Sequence, residues 1–324
     1  MQILVTADLH FSENPRDEYR HEFQRELRNI VKKHDVSRVI ILGDLTEAKD
    51  RHSAELVNRI VDHFYKLTAL CDVTFLRGNH DYLTSPDNPF FAFLSRIEHI
   101  SWINNPTAIG TWLYLPHTTD YKNDWKQFKF SDFDTIFCHQ TFEGADTGFK
   151  QLTGIPTSIF PKSVKVLSGD IHVPQDLGTV TYVGAPYTVD FGDNYEPRML
   201  LLDSKDMISI PCPGPQKRYV ERKRNSEFIT EHKLNKGDIL KVKADFEPGL
   251  ALSWQQIKQE VKDWAEDKGY IVHSIQPIVT HKKMKKTQNK KAAQSDEDLL
   301  AAYGKARGIN ESVLKTGLWL MENS

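Results

Sequence analysis

Short apolar runs alternate with longer stretches of helical spacing from the start of the chain. Residues 2–7 read as a strand that ends in Asp8-Leu9-His10. Residues 17–33 follow with Phe23, Leu27, Ile30 and Val31 on one helical face. Residues 38–42 form a second buried run, ending in Gly43-Asp44. Residues 53–70 form a second helix, with Leu56, Ile60, Phe64 and Leu67 aligned behind Ser53 as N-cap. Residues 71–76 are again short, apolar and β-branched, and they empty into Arg77-Gly78-Asn79-His80-Asp81, where Gly78 permits a tight turn. This strand–helix alternation predicts a layered α/β sheet.

Beyond Asp81 the pattern loosens. Residues 88–97 predict one helix, and residues 111–115 and 135–138 predict short strands, the latter ending in His139-Gln140. A Gly- and Thr-rich loop over 144–161 leads to a strand over 164–167 and then to Ser168-Gly169-Asp170-Ile171-His172. Segments 179–183, 199–202 and 207–210 predict hairpin strands closing the domain, and Pro211-Cys212-Pro213-Gly214-Pro215 marks a boundary. After it comes a small strand–helix–strand unit: 238–245, then 253–268 with Ile257, Val261, Trp264 and Ala265 on one face, then 270–279. Residues 281–291 are Lys-rich and lack apolar periodicity, and residues 296–306 and 310–321 predict two terminal helices.

Composition narrows the class of protein. A hydrophobic fraction of 39% with 27% charged residues is that of a folded, soluble chain. The net charge of −2 gives no overall basicity, so any nucleic-acid binding must come from a local patch. Three cysteines (Cys71, Cys138 and Cys212), odd in number and widely spaced, predict free thiols in a reducing compartment. The first residues carry no basic leader with an apolar core, and no apolar run approaches a membrane span, so a cytoplasmic protein without membrane contact is expected.

The chemistry gathers at strand ends. Asp8 and His10 follow the first strand, Asp44 the second, Asn79 and His80 the third, His139 a later one, and Asp170 with His172 another. In α/β sheets that end of the strands is where ligands bind. Carboxylates mixed with imidazoles suit Mn²⁺, Fe or Zn²⁺ more than Ca²⁺. So many donors exceed the needs of one ion. Two ions would share a bridging carboxylate, and Asp44, alone on its turn, is the natural choice. Such a pair can clamp both the attacking and the leaving oxygen of a phosphoryl transfer.

These residues carry a resemblance. Asp8-x-His10, Gly43-Asp44, Gly78-Asn79-His80-Asp81, His139 and Gly169-x-x-His172 resemble, in order, the motifs of calcineurin-like metallophosphoesterases. The resemblance implies a four-layer α-β-β-α sandwich and two divalent ions. Asp8, His10, Asp44 and one further ligand would hold one ion; Asp44, Asn79, His139 and the first position of the last motif would hold the other. It implies that His80 protonates the leaving oxygen and that Asp81 orients His80 from behind. Where the family usually has Gly-His-x-His, this chain has Gly169-Asp170-Ile171-His172. The harder, anionic Asp170 tilts the expected site towards Mn²⁺ or Mg²⁺.

In order and size of parts, the whole chain resembles SbcD-type nuclease subunits of double-strand-break repair, in compact form. That implies a catalytic domain over 1–212, a small α+β capping domain over 216–279 that shapes a DNA groove, a basic linker over 280–295, and C-terminal helices over 296–324. The helices would dock on an SbcC-like coiled-coil ATPase. The chain has no Gly-x-x-x-x-Gly-Lys-Ser/Thr loop, so any ATP-driven step would need that partner. Family members commonly form homodimers, and apolar faces near Phe90, Phe91 and Phe93 are the candidates here.

Some assignments stay open between two readings. Arg77 and His52 either reach substrate phosphate or are solvated charges. Lys282, Lys283, Lys285 and Lys286 either neutralise DNA phosphates or keep a linker extended. His99 and His117 read as structural. The expected activity is metal-dependent DNA exonuclease or endonuclease action in repair and recombination. The alternatives are a phosphatase or phosphodiesterase for a small phosphorylated molecule, and a DNA-end tethering scaffold with a regulatory metal site.

Overall fold

The computed structural model describes residues 2–279 apart from 194, 204–205, 213 and 247–250. Lys282, Lys283, Lys285 and Lys286 and the expected docking helices therefore lie outside the described residues.

Two mixed sheets face each other. The first is built from β1 (Gln2–Thr6), α1 (Glu18–Lys33), β2 (Val36–Leu42), α2 (Ala54–Thr68), β3 (Asp72–Leu76) and β4 (Ile100–Ile103). These four strands run parallel in the order β1-β2-β3-β4. The second contains β5 (Thr107–Ile109), β6 (Trp112–Leu115), a one-turn α3 (Tyr121–Asp124), β7 (Thr135–His139), β8 (Lys165–Gly169), β9 (Gln175–Leu177) and β10 (Val180–Tyr182). Its order is β5-β6-β7-β8-β10-β9, parallel from β6 to β10. The chain then returns to the first sheet as the antiparallel pair β11 (Arg198–Leu202) and β12 (Met207–Pro211), with β11 beside β1.

Side chains alternate between two cores, and both sides are apolar, as parallel strands demand. Leu4, Val39, Ile41, Val73 and Phe75 face the helices α1 and α2. Ile3, Val5, Ile40, Leu42 and Leu76 point the other way and meet Tyr114, Phe137 and Leu167 of the second sheet. Ser53 caps α2 as expected, accepting from the Leu56 N–H at 3.2 Å. The three cysteines are free and buried.

Three local expectations change. Residues 88–97 do not make an α-helix: a 3₁₀ segment spans Phe90–Arg96 behind Pro89. Its buried side chains, Phe91 and Leu94, are three apart, a spacing that suits three residues per turn. The outer face of the second sheet is covered by short turns and the aromatic rings of Trp125, Phe142 and Phe160 rather than by long helices. Finally, β10 does not pair with β11. It lies parallel to β8 and forms a hairpin with β9, which was too short and polar to read.

A third sheet, ordered β14-β13-β15-β16, follows: β13 (Lys217–Arg222), β14 (Phe228–Ile229), β15 (Ile239–Phe246), α4 (Ala251–Lys268) and β16 (Ile271–Val279). Val261 of α4 packs on Val220, Leu240 and Val242, and Trp264 stacks on Phe228 with centroids 3.9 Å apart. β13 escapes a hydrophobic reading because Lys217, Arg218 and Arg222 are buried in it. Each is paired. Lys217 Nζ donates to Asp17 Oδ1 at 2.9 Å, Arg218 donates to the Asp193 carbonyl, and Arg222 bridges to Glu260 at 2.6 Å. Among the described residues, no helix is long and apolar enough to cross a membrane.

Candidate metal centre

The carboxyl ends of β1, β2 and β3 in one sheet meet those of β7 and β8 in the other. Each turn there bends sharply. Asp8, His10, Asp44 and Asp170 have φ of +54°, +42°, +55° and +85°. The left-handed region costs an ordinary residue roughly 1–2 kcal/mol, and Asp tolerates it better than most. Gly78 is required for a different reason: a Cβ there would overlap Asp44 Oδ1 and the Asp44 backbone nitrogen.

The turns bring one ligating atom each from buried Asp8, Asp44 and His139 to within 4.8 Å of one another. Around that group the structure gathers the other expected donors. His10 Nε2 stands 3.6 Å from Asp44 Oδ2 and 3.3 Å from His172 Nε2. Asp170 Oδ1 is 3.8 Å from His139 Nε2, its N–H donates to Asp8 Oδ1 at 3.1 Å, and its other oxygen accepts from the Thr141 hydroxyl. One terminal atom of the Asn79 amide stands 2.9 Å from His139 Nε2 and 3.1 and 3.2 Å from the two Asp44 oxygens. As nitrogen it donates to all three. As oxygen it joins them as a further lone pair facing a cation.

Two observations test whether this set fits metal. Asp8 Oδ2 and His10 Nδ1 are buried without a hydrogen-bond partner, which ordinary packing avoids. And His139 Nδ1 lies 2.6 Å from the Leu42 carbonyl, which fixes the proton on Nδ1 and leaves the Nε2 lone pair facing Asp44, Asn79 and Asp170. The donors fit two divalent ions sharing Asp44.

Without ions, the carboxylates and imidazoles hold each other's charge. Burial pushes Asp8 up to about 7 against the pull of His139 and His172. Burial also opposes charge on Asp44, yet His139 and His10 hold it well below the usual carboxylate range. Burial works against His139 too, but Asp44, Asp8 and Asp170 keep it well above an ordinary imidazole. Burial drives His10 well below.

His80 stands at the rim, its ring centroid 4.9 Å from that of His10. Its N–H donates to Asp44 Oδ1 at 2.8 Å and its Nδ1 contacts the Glu47 carbonyl at 2.9 Å. Asp81 does not sit behind it. The Asp81 carboxylate accepts from the N–H groups of Gly78 (2.6 Å), Asp44 (3.0 Å) and Leu45 (3.0 Å), clipping the β3 turn to the β2 turn. Burial, then Asp44, pushes it up to about 6.

Arg77 is not a phosphate contact: it is buried, donates to the Asn104 carbonyl and lies over the Tyr82 ring. His52 rests against Phe90 and Phe91 at centroid distances of 4.4 and 4.9 Å. His117 is structural, bonded to Tyr82 Oη at 3.0 Å.

Sequence reasoning passed over two supporting residues. Glu47 Oε2 lies 3.6 Å from His10 Nδ1, and buried Arg20 donates to Glu47 (2.9 Å) and to the His10 carbonyl (2.5 Å). Both lie outside the strand-end motifs, Glu47 on a loop and Arg20 in the first turn of α1, so no local signal marked them.

A family model described as calcineurin-like phosphoesterase matches residues 1–274. No curated protein matches the chain. Among solved structures, a nuclease MPE from Pseudomonas putida is similar at 17% identity and a TM-score of 0.31, over 64% of this chain and 72% of that one. A dimetal phosphatase from Danio rerio is similar at 12% identity and a TM-score of 0.39, over 65% and 95%.

Proposed function

Because this chain belongs to the calcineurin-like phosphoesterase family, we propose that it hydrolyses phosphodiester bonds at DNA ends, as a nuclease subunit of the SbcD type. The observation that carries the reading is the open side of the metal centre. From Asp170 and His172 the recess continues as a cavity of about 550 Å³ to Tyr219 and Lys241 of the third sheet. A phosphomonoester needs no such extension. A polymer has to leave the centre on both sides of the scissile phosphate, and a lysine along the way suits the next phosphate.

Two bound divalent ions would supply charge neutralisation at the phosphoryl oxygens and a water made acidic enough to attack at neutral pH. Asp8, His10, Asp44 and His172 would hold one ion, and Asp44, Asn79, His139 and Asp170 the other. The chain itself supplies the rest. His80 directs its Nδ1 proton to the Glu47 carbonyl, so Nε2 is the nitrogen left to carry a proton to the departing oxygen. Asp81 acts on the backbone: by binding three N–H groups it fixes the turns that present Asn79, His80 and Asp44 together. The proposal includes Mn²⁺ as the preferred ion, with Mg²⁺ second, because Asp170 replaces a softer imidazole. It also includes an SbcC-like ATPase as partner.

The test compares Mn²⁺-dependent cleavage of linear double-stranded DNA and of bis-p-nitrophenyl phosphate. The wild type should degrade DNA. His80→Gln should lose roughly 10²- to 10⁴-fold in rate, the usual worth of a general acid, while calorimetry still records Mn²⁺ binding. Turnover of the small ester alone, with or without the ATPase, would replace the nuclease by a small-substrate phosphodiesterase. DNA binding without any cleavage would point to a tethering scaffold.

A further inference from the structure

Beside the metal centre stands an aromatic ring that none of the chemistry above uses. Asp146 and Gln151 bridge as antiparallel partners, and the Thr147 N–H donates to the Lys150 carbonyl at 3.1 Å. Between them Gly148 has φ of +84°, the position a tight hairpin turn reserves for glycine, and Phe149 follows at the tip. The turn is clamped at its base. Gln175 accepts from the Asp146 N–H and donates to the Asp146 carbonyl, both at 2.7 Å. Phe149 is nevertheless 75% exposed, the most exposed large apolar side chain among the described residues. Its ring edge lies on Gly192, where any Cβ would overlap it.

This ring divides a continuous groove. On one side is the cavity that holds Asp170 and His172; on the other is a second cavity of about 430 Å³ reaching Lys243 on the third sheet. Volumes of this size take a nucleotide-sized ligand. The far wall is basic and aromatic together. Lys243 Nζ sits 4.7 Å from the centroid of the Tyr219 ring, and Lys241 Nζ lies 5.7 Å from Tyr219 and 5.8 Å from Phe191. Acidic side chains, Asp190, Asp193, Glu221 and Glu231, also line the groove; Asp193 accepts from the Val189 and Asp190 N–H groups, and Glu221 is paired with Lys223.

We propose that Phe149 is a stacking platform for one unpaired nucleobase, and that Lys241 and Lys243 take the adjoining phosphate, so that the ligand of this groove is a single-stranded nucleic-acid end. This rests on the nuclease reading and narrows it. An exposed ring beside the metal centre, on a turn clamped at its base, receives a base only after that base has left the duplex. Stacking tolerates any base, so the subsite reads strandedness and not sequence.

The test is equilibrium binding of two small probes to the Mn²⁺-loaded full chain, deoxyadenosine 5′-monophosphate and 2-deoxyribose 5-phosphate, which differ only by the base. The nucleotide should bind roughly 5- to 150-fold more tightly, the worth of one base on an aromatic ring. Phe149→Ala should erase that ratio and Phe149→Trp should keep it. Equal binding of the two probes by the wild type overturns the proposal without any variant, as does a ratio that survives Phe149→Ala. DNA cleavage is scored separately. Cleavage with no base advantage removes only the stacking subsite, whereas a Phe149-dependent advantage without DNA cleavage keeps the subsite and removes the nuclease.

Discussion

His63 lies in α2, 1% exposed, with Phe11 and Phe64 around its ring and Arg28 Nη1 3.2 Å from its Nδ1. Burial first, and the Arg28 charge second, lower it from 6.5 to about 3. The neutral imidazole is thus part of the folded state, while the unfolded chain takes up a proton below pH 6.5. A depressed folded value means that His63's contribution is complete above pH 6.5 and is lost progressively as pH falls towards 3. Between pH 7 and pH 4.5 the loss from this one side chain is about 3 kcal/mol by proton linkage. The perturbation is His63→Gln, which removes the titration and some packing. At pH 7 the variant should be less stable by roughly 1–2 kcal/mol, as is usual for a buried substitution. At pH 4.5 the order should reverse. Urea unfolding in EDTA at both pH values measures the two gaps. A gap that stays the same at pH 7 and pH 4.5 would refute the account, because it would mean that His63 gains its proton in the folded protein at no special cost.

Further outcomes follow from the site. Gly78→Ala drives a Cβ into Asp44, so the stabilisation that Mn²⁺ gives the wild type in a thermal melt should be largely lost. Asp170→His should move metal preference from Mn²⁺ towards Zn²⁺, read by competitive loading and metal analysis. Tyr182→Phe removes an hydroxyl that accepts from the Phe142 N–H (2.8 Å) and donates to the Gln140 carbonyl (2.9 Å), both buried. Unfolding should show a loss of about 1–3 kcal/mol.

How much of this was legible depended on range. β1, β2 and β3 stood out because both faces of each are buried, which makes their residues continuously apolar. The donors stood out because strand ends in a parallel sheet point the same way, so Asp8, Asp44 and Asn79 were neighbours before any contact was known. β13 did not stand out, since Lys217, Arg218 and Arg222 are buried only by virtue of Asp17, the Asp193 carbonyl and Glu260. The same limit hid the role of Asp81, whose three partners include two N–H groups some thirty-six residues earlier. It also led Arg77 to be read as a possible surface group, although Asn104 and Tyr82 close over it. Pairings set by tertiary structure leave no periodic trace.

The left-handed turns at Asp8, His10, Asp44 and Asp170 have an engineering consequence. Each holds backbone strain of at most roughly 1–2 kcal/mol at a position whose side chain is wanted for ligation. Selection of this chain for heat tolerance alone would therefore favour glycine at these four positions, and every such gain would remove a donor. Libraries aimed at a hardier enzyme should hold these turns constant and seek stability on α2 and on α4, away from Arg20 and from the groove residues Tyr219, Lys241 and Lys243.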